Sequence, residues 1–249
     1  MDRRSFMAGA LAGAPLAGLA GRMAYERVYA GFQPQGRLSF SQQGEDIVLY
    51  HVLHDLLKIQ TPTYVDIGAA DPVQASNTFL IYWTGGHGVL VEPNPMYVEK
   101  LRRRRPNDIV VAAGVGVTDA AEADYYVIRG KPTLNTFSAE EAARLRASAK
   151  EDVVEAVLKM PFVSVNRLIA THLGKAPDLL SIDVEGMDLD ILRTLDFATY
   201  RPGAIIAETI KMGTLDVNAE IVDFLVSHGY TVRGGSMINT IFVDRGRYS

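Results

Sequence analysis

The stretch YVDIGAADP, Tyr64 to Pro72, decides the fold. A short apolar run ends on an acid, Asp66, and passes at once into Gly68, Ala69 and Ala70, which carry no bulky side chain. This reads as a buried strand followed by a tight turn that another group can approach closely. Ligands of open α/β sheets bind beyond the carboxyl ends of the strands, beside the point where strand order reverses. Asp66, Gly68, Ala69 and Asp71 are therefore candidate ligand-binding residues. Asp71 has a second reading, as the cap of the segment that follows it.

Working outward, runs of the same kind recur at 88–92 (GVLVE), 108–112 (DIVVA), 179–183 (LLSID) and 204–208 (AIIAE). None alternates apolar with polar residues, as expected of parallel strands covered on both faces by helices. Helical signals lie between them. Ser41 can cap a helix toward Lys58, and Asn94-Pro95 starts one that should end near Arg105. Ser138 and Glu141 form a capping box for a helix through about Leu158, and a further helix is expected near 217–228. The run Arg102 to Arg105 reads as a solvated helix end that complements the helix dipole. Residues 118–177 form an insertion that also holds the strand-like DYYVI (124–128) and PFVSV (161–165) and can reach a ligand. The segment YTVRGGSMINTIFVD (230–244) reads as a hairpin around Gly234-Gly235. The predicted fold is α/β and Rossmann-like: a mostly parallel twisted sheet with helices on both faces and a C-terminal antiparallel hairpin strand.

A second chemical signal is VLVEPNP, with Glu92 at a strand tip followed by Pro93 and Asn94. A carboxylate there can accept both hydroxyls of a ribose. It falls 24 residues after Gly68, near the interval expected in nucleotide-binding α/β folds. The G-x-G-x-x-G turn of a dinucleotide dehydrogenase is not present. A third signal is LLSIDVEGMDLDIL, where Asp183 ends a buried strand and Glu185-Gly186 lead into an amphipathic helix. The helix dipole accounts for Asp188 and Asp190. A carboxylate at a buried strand end needs partners or a purpose, so Asp183 and Glu185 are the candidate bases. The same acids with Glu208 offer oxygen ligands for Mg²⁺, a weaker reading, and no metal is assigned. The Asn-Thr pairs supply Asn77, Asn135 and Asn239 as candidates for orienting a polyol acceptor, although Asn77 and Asn135 also suit turns. The five histidines show no metal-ligand spacing.

At 249 residues, 48% of them hydrophobic, the chain can build one substantial core. A net charge of -4 argues for a small-molecule partner and against nucleic acid. Cysteine is absent, which removes disulfides, thiolate metal sites and a thiol nucleophile. Residues 1–24 are a signal-like or tail segment: Arg3-Arg4-Ser5-Phe6-Met7 resembles a twin-arginine signal ahead of a Gly/Ala-rich run. A connector follows over 25–40, and 41–249 is the expected catalytic domain. Membrane contact is expected only through the N-terminal segment.

Taken together, SQQGEDIVL (41–49), YVDIGAADP, SNTFLIY (76–82), GVLVEPNP (88–95), LNTFS (134–138), LLSIDVEGMDLDIL and NTIFVDR (239–245) resemble the FkbM methyltransferase family, over about residues 39–245. The resemblance implies a class I methyltransferase fold, S-adenosylmethionine as cofactor, and O-methylation of a small molecule such as a sugar or natural product. By it, Asp66, Gly68 and Glu92 would contact the cofactor, with Gln43 and Glu45 as further candidates, and Asp183 and Glu185 would face the acceptor. It also implies a cytoplasmic catalytic domain, where the cofactor is made, whereas the leader permits membrane association or export. Two other readings of the residues stay open: a nucleotide-sugar-utilising transferase or dehydrogenase, and a non-catalytic nucleotide-binding protein.

Overall fold

The structure, a computed structural model, describes residues 38–118, 121–149, 152–184, 186–210 and 216–248. The twin-arginine-like leader and most of the connector lie outside the described residues. The chain opens with α1 (Glu45–His51), which continues as a π-helical turn over Val52–Leu56. Ser41 begins this element as the sequence predicts, its Oγ accepting from the amides of Gly44 and Asp46, but the regular helix starts four residues later.

Five parallel strands follow the predicted runs: β1 (Thr63–Ile67), β2 (His87–Val91), β3 (Ile109–Val111), β7 (Leu179–Ile182) and β8 (Ala204–Glu208). The hairpin β9 (Tyr230–Gly235) and β10 (Asn239–Asp244) completes the sheet, with β10 antiparallel to both β8 and β9. Strand order is β3-β2-β1-β7-β8-β10-β9. The order turns back between β1 and β7, so the crevice at their carboxyl ends is where a ligand is expected.

Alternation along the strands feeds two cores. Val65, Ile67, Val89, Val91, Leu180 and Ile182 pack with α5 (Val165–His172), α6 (Asp188–Thr194) and α7 (Ala219–Ser227) through Leu168, Ile191 and Leu225. On the other face, Tyr64, Leu90, Leu179 and Ile206 pack with Leu49 and Leu53, with α2 (Phe79–Trp83), and with Leu101 of α3 (Pro95–Arg104). Both faces are apolar because both are covered, which is why no strand alternates with polar residues. Among the described residues no helix is long and apolar enough to cross a membrane.

The insertion departs from expectation. The helix begun by Ser138, whose Oγ accepts from the Glu141 amide, is α4 (Ala139–Ser148) and stops ten residues before Leu158. Leu158 belongs instead to β6 (Val154–Ser164), an eleven-residue strand that pairs antiparallel with β5 (Glu122–Ile128) and parallel with β4 (Gly114–Gly116). The stretch from Val153 to Val163, which holds four valines, finds its antiparallel partner 26 to 39 residues upstream, a pairing that local periodicity does not encode. The capping box is half formed: Glu141 turns away from the cap and grips Arg144 at 2.6 Å.

A second departure lies at the end of α3. Arg102, Arg103 and Arg104 are exposed as expected, but Arg105 is 1% exposed. Its Nε donates to Asp108 at 2.8 Å, and its Nη2 donates to the Tyr64 hydroxyl at 2.8 Å and to Thr78 Oγ1 at 3.0 Å. The guanidinium also lies 4.8 Å from the Tyr82 ring centre. Asp108 in turn accepts from the Tyr64 hydroxyl and from the Gly88 amide. The residue is structural where its neighbours are solvated: it caps the end of α3 just before Pro106, and Asp108, Tyr64 and Thr78 hold its guanidinium. Removing one partner of a buried ion pair strands the other's charge, at a cost of about 3–5 kcal/mol. We predict that Arg105→Met lowers unfolding free energy by that amount in urea denaturation. Arg103→Ala, on the exposed side, should stay within about 0.5 kcal/mol of wild type.

Candidate active site

A hollow open to solvent lies at the carboxyl ends of β1, β2 and β7. The tips of β1, β2 and β7 are tied together by main-chain bonds. Asp183 donates its amide to Ile67 O at 3.0 Å, and Gly68 and Ala69 donate theirs to Val91 O at 3.0 and 3.1 Å. Gly68 has φ +84°, and a Cβ there would sit 1.9 Å from the Asp183 carbonyl oxygen. The glycine is thus required first by the approach of two strand ends, and this same approach brings the β7 tip to the wall of the hollow.

Of the residues singled out in the sequence, Gly68, Glu92, Pro93, Asn135 and Asp183 line the hollow. Asp66 lies just below it, its Oδ2 accepting from Thr78 Oγ1 at 2.5 Å. Ala69 packs in the core between α1 and α2. Asp71 caps its own turn, accepting from the amides of Val73 and Gln74, and Asn94 caps α3 through the Met96 amide. Asn77 is half-buried outside the lining. Gln43, Glu45 and Asn239 meet one another at the C-terminal hairpin: Glu45 Oε1 accepts from Ser236 Oγ at 2.7 Å and from Asn239 Nδ2 at 3.1 Å, while Gln43 accepts from the Met237 amide. Glu185 lies outside the described residues.

Sequence reasoning did not single out the aromatic wall. Tyr97 comes from α3, Tyr125 from β5, and Phe137 from the loop before α4. Gly114 makes room for Phe137, whose ring a Cβ would meet at 2.3 Å. Asn135 steadies this loop, accepting from the Ile128 amide and bonding the Tyr125 side chain. The signal was present in DYYVI and LNTFS, but which insertion side chains turn inward depends on the β5–β6 pairing.

Two carboxyls on the wall are far from their ordinary behaviour. Glu92, 5% exposed, is pushed up to about 7 by burial, with Asp66 adding to it, against the stabilising amides of Asn94 and Ala70. Asp183, half-buried, is raised to about 6 by burial and by the charges of Asp66 and Glu45. Asp188 behind it is raised to about 7 by burial and by Asp183. Among the described residues no three acids or histidines are arranged to hold a metal ion.

A family model described as the methyltransferase FkbM domain matches residues 66–232. The chain belongs to the FkbM methyltransferase family. That membership decides, among the readings the sequence left open, for an S-adenosylmethionine-dependent methyltransferase. No curated protein sequence matches the chain. Similar solved structures include a precorrin-6Y C5,15-methyltransferase from Geobacter metallireducens (16% identity, 83% of this chain and 91% of that chain, TM-score 0.43). Others are a TehB-like methyltransferase from Corynebacterium glutamicum (10%, 91% and 99%, 0.42) and an O-methyltransferase from Bacillus cereus in complex with S-adenosylhomocysteine (12%, 96% and 96%, 0.38). Overlaps at this level decide nothing about chemistry.

The donor set of the FkbM chain suits the cofactor. The aromatic wall offers faces for a purine, and each Glu92 oxygen, already accepting one amide, keeps a lone pair for a hydroxyl. Hydroxyls donating to Glu92 favour its ionised form, so affinity should rise as pH rises through about 7. We predict that S-adenosylhomocysteine, followed by titration calorimetry, binds more tightly at pH 8 than at pH 6. Glu92→Gln should weaken binding by about 10- to 100-fold, the loss of a charge-assisted hydrogen bond, and flatten that pH dependence.

Proposed function

We propose that this methyltransferase acts on oxygen, transferring a methyl group to a hydroxyl of a small molecule such as a sugar or another natural product, with Asp183 as the base. The observation that carries this reading is that Asp183 lines the same hollow as Glu92 with its carboxyl raised to about 6. When bound, the cofactor supplies an electrophilic methyl group on a positively charged sulfur. A hydroxyl acceptor must lose its proton as its oxygen attacks, and Asp183 is the lining group suited to take it. Near pH 7 it is ionised, yet it is a stronger base than an ordinary aspartate.

In this reading Glu92 holds ribose hydroxyls, and Tyr97, Tyr125 and Phe137 enclose the purine. Asp183 would then have two roles: its negative charge would favour a cationic cofactor in the hollow, and its carboxylate would orient the acceptor hydroxyl and take its proton. Val184 and Met187 beside it keep that end of the hollow apolar, which limits water and strengthens the electrostatics. Asn135 carries over as a polar contact at the edge of the site, and Glu185 remains a second candidate base from the sequence alone. The described lining holds no lysine or arginine. A neutral polyol acceptor therefore fits it better than a phosphorylated or carboxylated one.

The test is transfer of isotopically labelled methyl from S-adenosylmethionine onto a panel of sugars and polyols. At saturating S-adenosylmethionine, wild-type kcat/KM for the acceptor should climb as pH rises through about 6 and then level, because only the ionised Asp183 accepts a proton. Asp183→Asn should lose about 10²- to 10⁴-fold in kcat, the usual worth of a general base. Its affinity for S-adenosylhomocysteine, whose sulfur carries no charge, should stay close to wild type. Full turnover in this variant would remove Asp183 from the role.

A further inference from the structure

Beneath the hollow, a chain of buried side chains runs from the end of α3 to the tip of β1, and the chemistry above does not use it. Arginine carries only donors, so the direction of every bond in this chain is fixed. Arg105 Nη2 donates to Thr78 Oγ1 at 3.0 Å, which leaves the single Thr78 proton to be donated onward to Asp66 Oδ2 at 2.5 Å. Asp66 is thereby required as an acceptor at that oxygen. Ser181, its register partner on β7, also bonds it, and Ser181 stands two residues before Asp183. Thr78, Asp66, Ser181 and Arg105 are all buried.

The arrangement is more than a structural brace because its charges do not cancel. Arg105 is already matched by Asp108, which accepts from Arg105 Nε, the Tyr64 hydroxyl and the Gly88 amide. Asp66 adds a second carboxyl: burial raises it, the bonds from Thr78 and Ser181 and the charge of Arg105 oppose that, and once ionised it leaves one net negative charge under the meeting point of β1 and β7. Among the described residues, Asp66 interacts electrostatically with Arg105, Asp108, Glu92 and Asp183, and Asp183 with Asp66, Glu45 from α1 and Asp188 from α6.

We propose that Arg105, Thr78 and Asp66 form a positioning relay that holds a buried carboxylate below the hollow, beside Ser181 on the strand that ends at Asp183, and so tunes Asp183 from beneath. This rests on the reading of Asp183 as the base, but its test does not need turnover. The carboxyl carbon of Asp183, labelled with ¹³C and assigned by the loss of its signal in Asp183→Asn, is titrated by NMR in the ligand-free protein. Asp66→Asn removes the neighbouring charge, and the Asp183 midpoint should fall by roughly half a pH unit or more from the wild-type value. Thr78→Val removes the proton that stabilises ionised Asp66 and should move the midpoint the same way. Thr78→Ser keeps the hydroxyl and should restore the wild-type midpoint.

An Asp183 midpoint that stays at wild type in folded Asp66→Asn, or that moves equally in Thr78→Ser and Thr78→Val, overturns the relay. If Asp66→Asn does not fold, as judged by near-ultraviolet circular dichroism, the two Thr78 variants decide alone. Failure of the base assignment is separate: it appears as turnover that survives Asp183→Asn while the Asp183 midpoint still responds to Asp66.

Discussion

The seam between β1 and β7 is the constraint on which the rest of the site depends. Two parallel strands whose crossovers leave in opposite directions must end side by side, and here they approach so closely that no Cβ fits between Gly68 and the Asp183 carbonyl. Main-chain bonds carry the closure outward, from Asp183 to Ile67, from Gly68 and Ala69 to Val91, and from Glu92 to Val111. The tips of four neighbouring strands are locked in one arc. Glu92 and Asp183 reach the same space because the backbone leaves them nowhere else to project.

This closure concentrates acids in a poorly hydrated place. Glu92, Asp183 and Asp188 are all raised toward neutrality by burial, so each binds its proton more tightly folded than unfolded. The unfolded chain then deprotonates first, and the contribution of these three groups to stability falls as pH climbs from about 4 to about 7. A protein selected only for stability would not keep them. They make sense as groups whose cost is offset when a ligand donates hydrogen bonds or brings positive charge. Arg105 works in the opposite direction, adding one cation bonded to Asp108, Tyr64 and Thr78 below the seam and so limiting the accumulated negative charge.

Much of this was legible in the residues. Apolar runs without alternation gave the parallel strands, the small-residue turn gave the seam, and the acid 24 residues later gave the wall opposite. Legibility failed where a side chain's role is set by distant parts of the chain. Asp66 reads as a ligand contact and lies beneath the hollow instead, because strand alternation turns it toward Thr78. Arg105 reads as the fourth of four solvated arginines, and only the buried Asp108 and Tyr64 distinguish it. Asn239 lies 194 residues from Glu45 and meets it at the hairpin, beside Gln43. The aromatic wall depends on a strand pairing across the insertion, where a helix pattern through Leu158 competes with β-branched residues and loses to tertiary pairing.

The most direct measurement is a crystal structure with S-adenosylhomocysteine bound. The account requires the ribose hydroxyls within hydrogen-bond distance of Glu92, the purine against Tyr97, Tyr125 or Phe137, and the sulfur turned toward Asp183. A ligand seated elsewhere, or lying in the hollow with its sulfur directed away from Asp183, would contradict it.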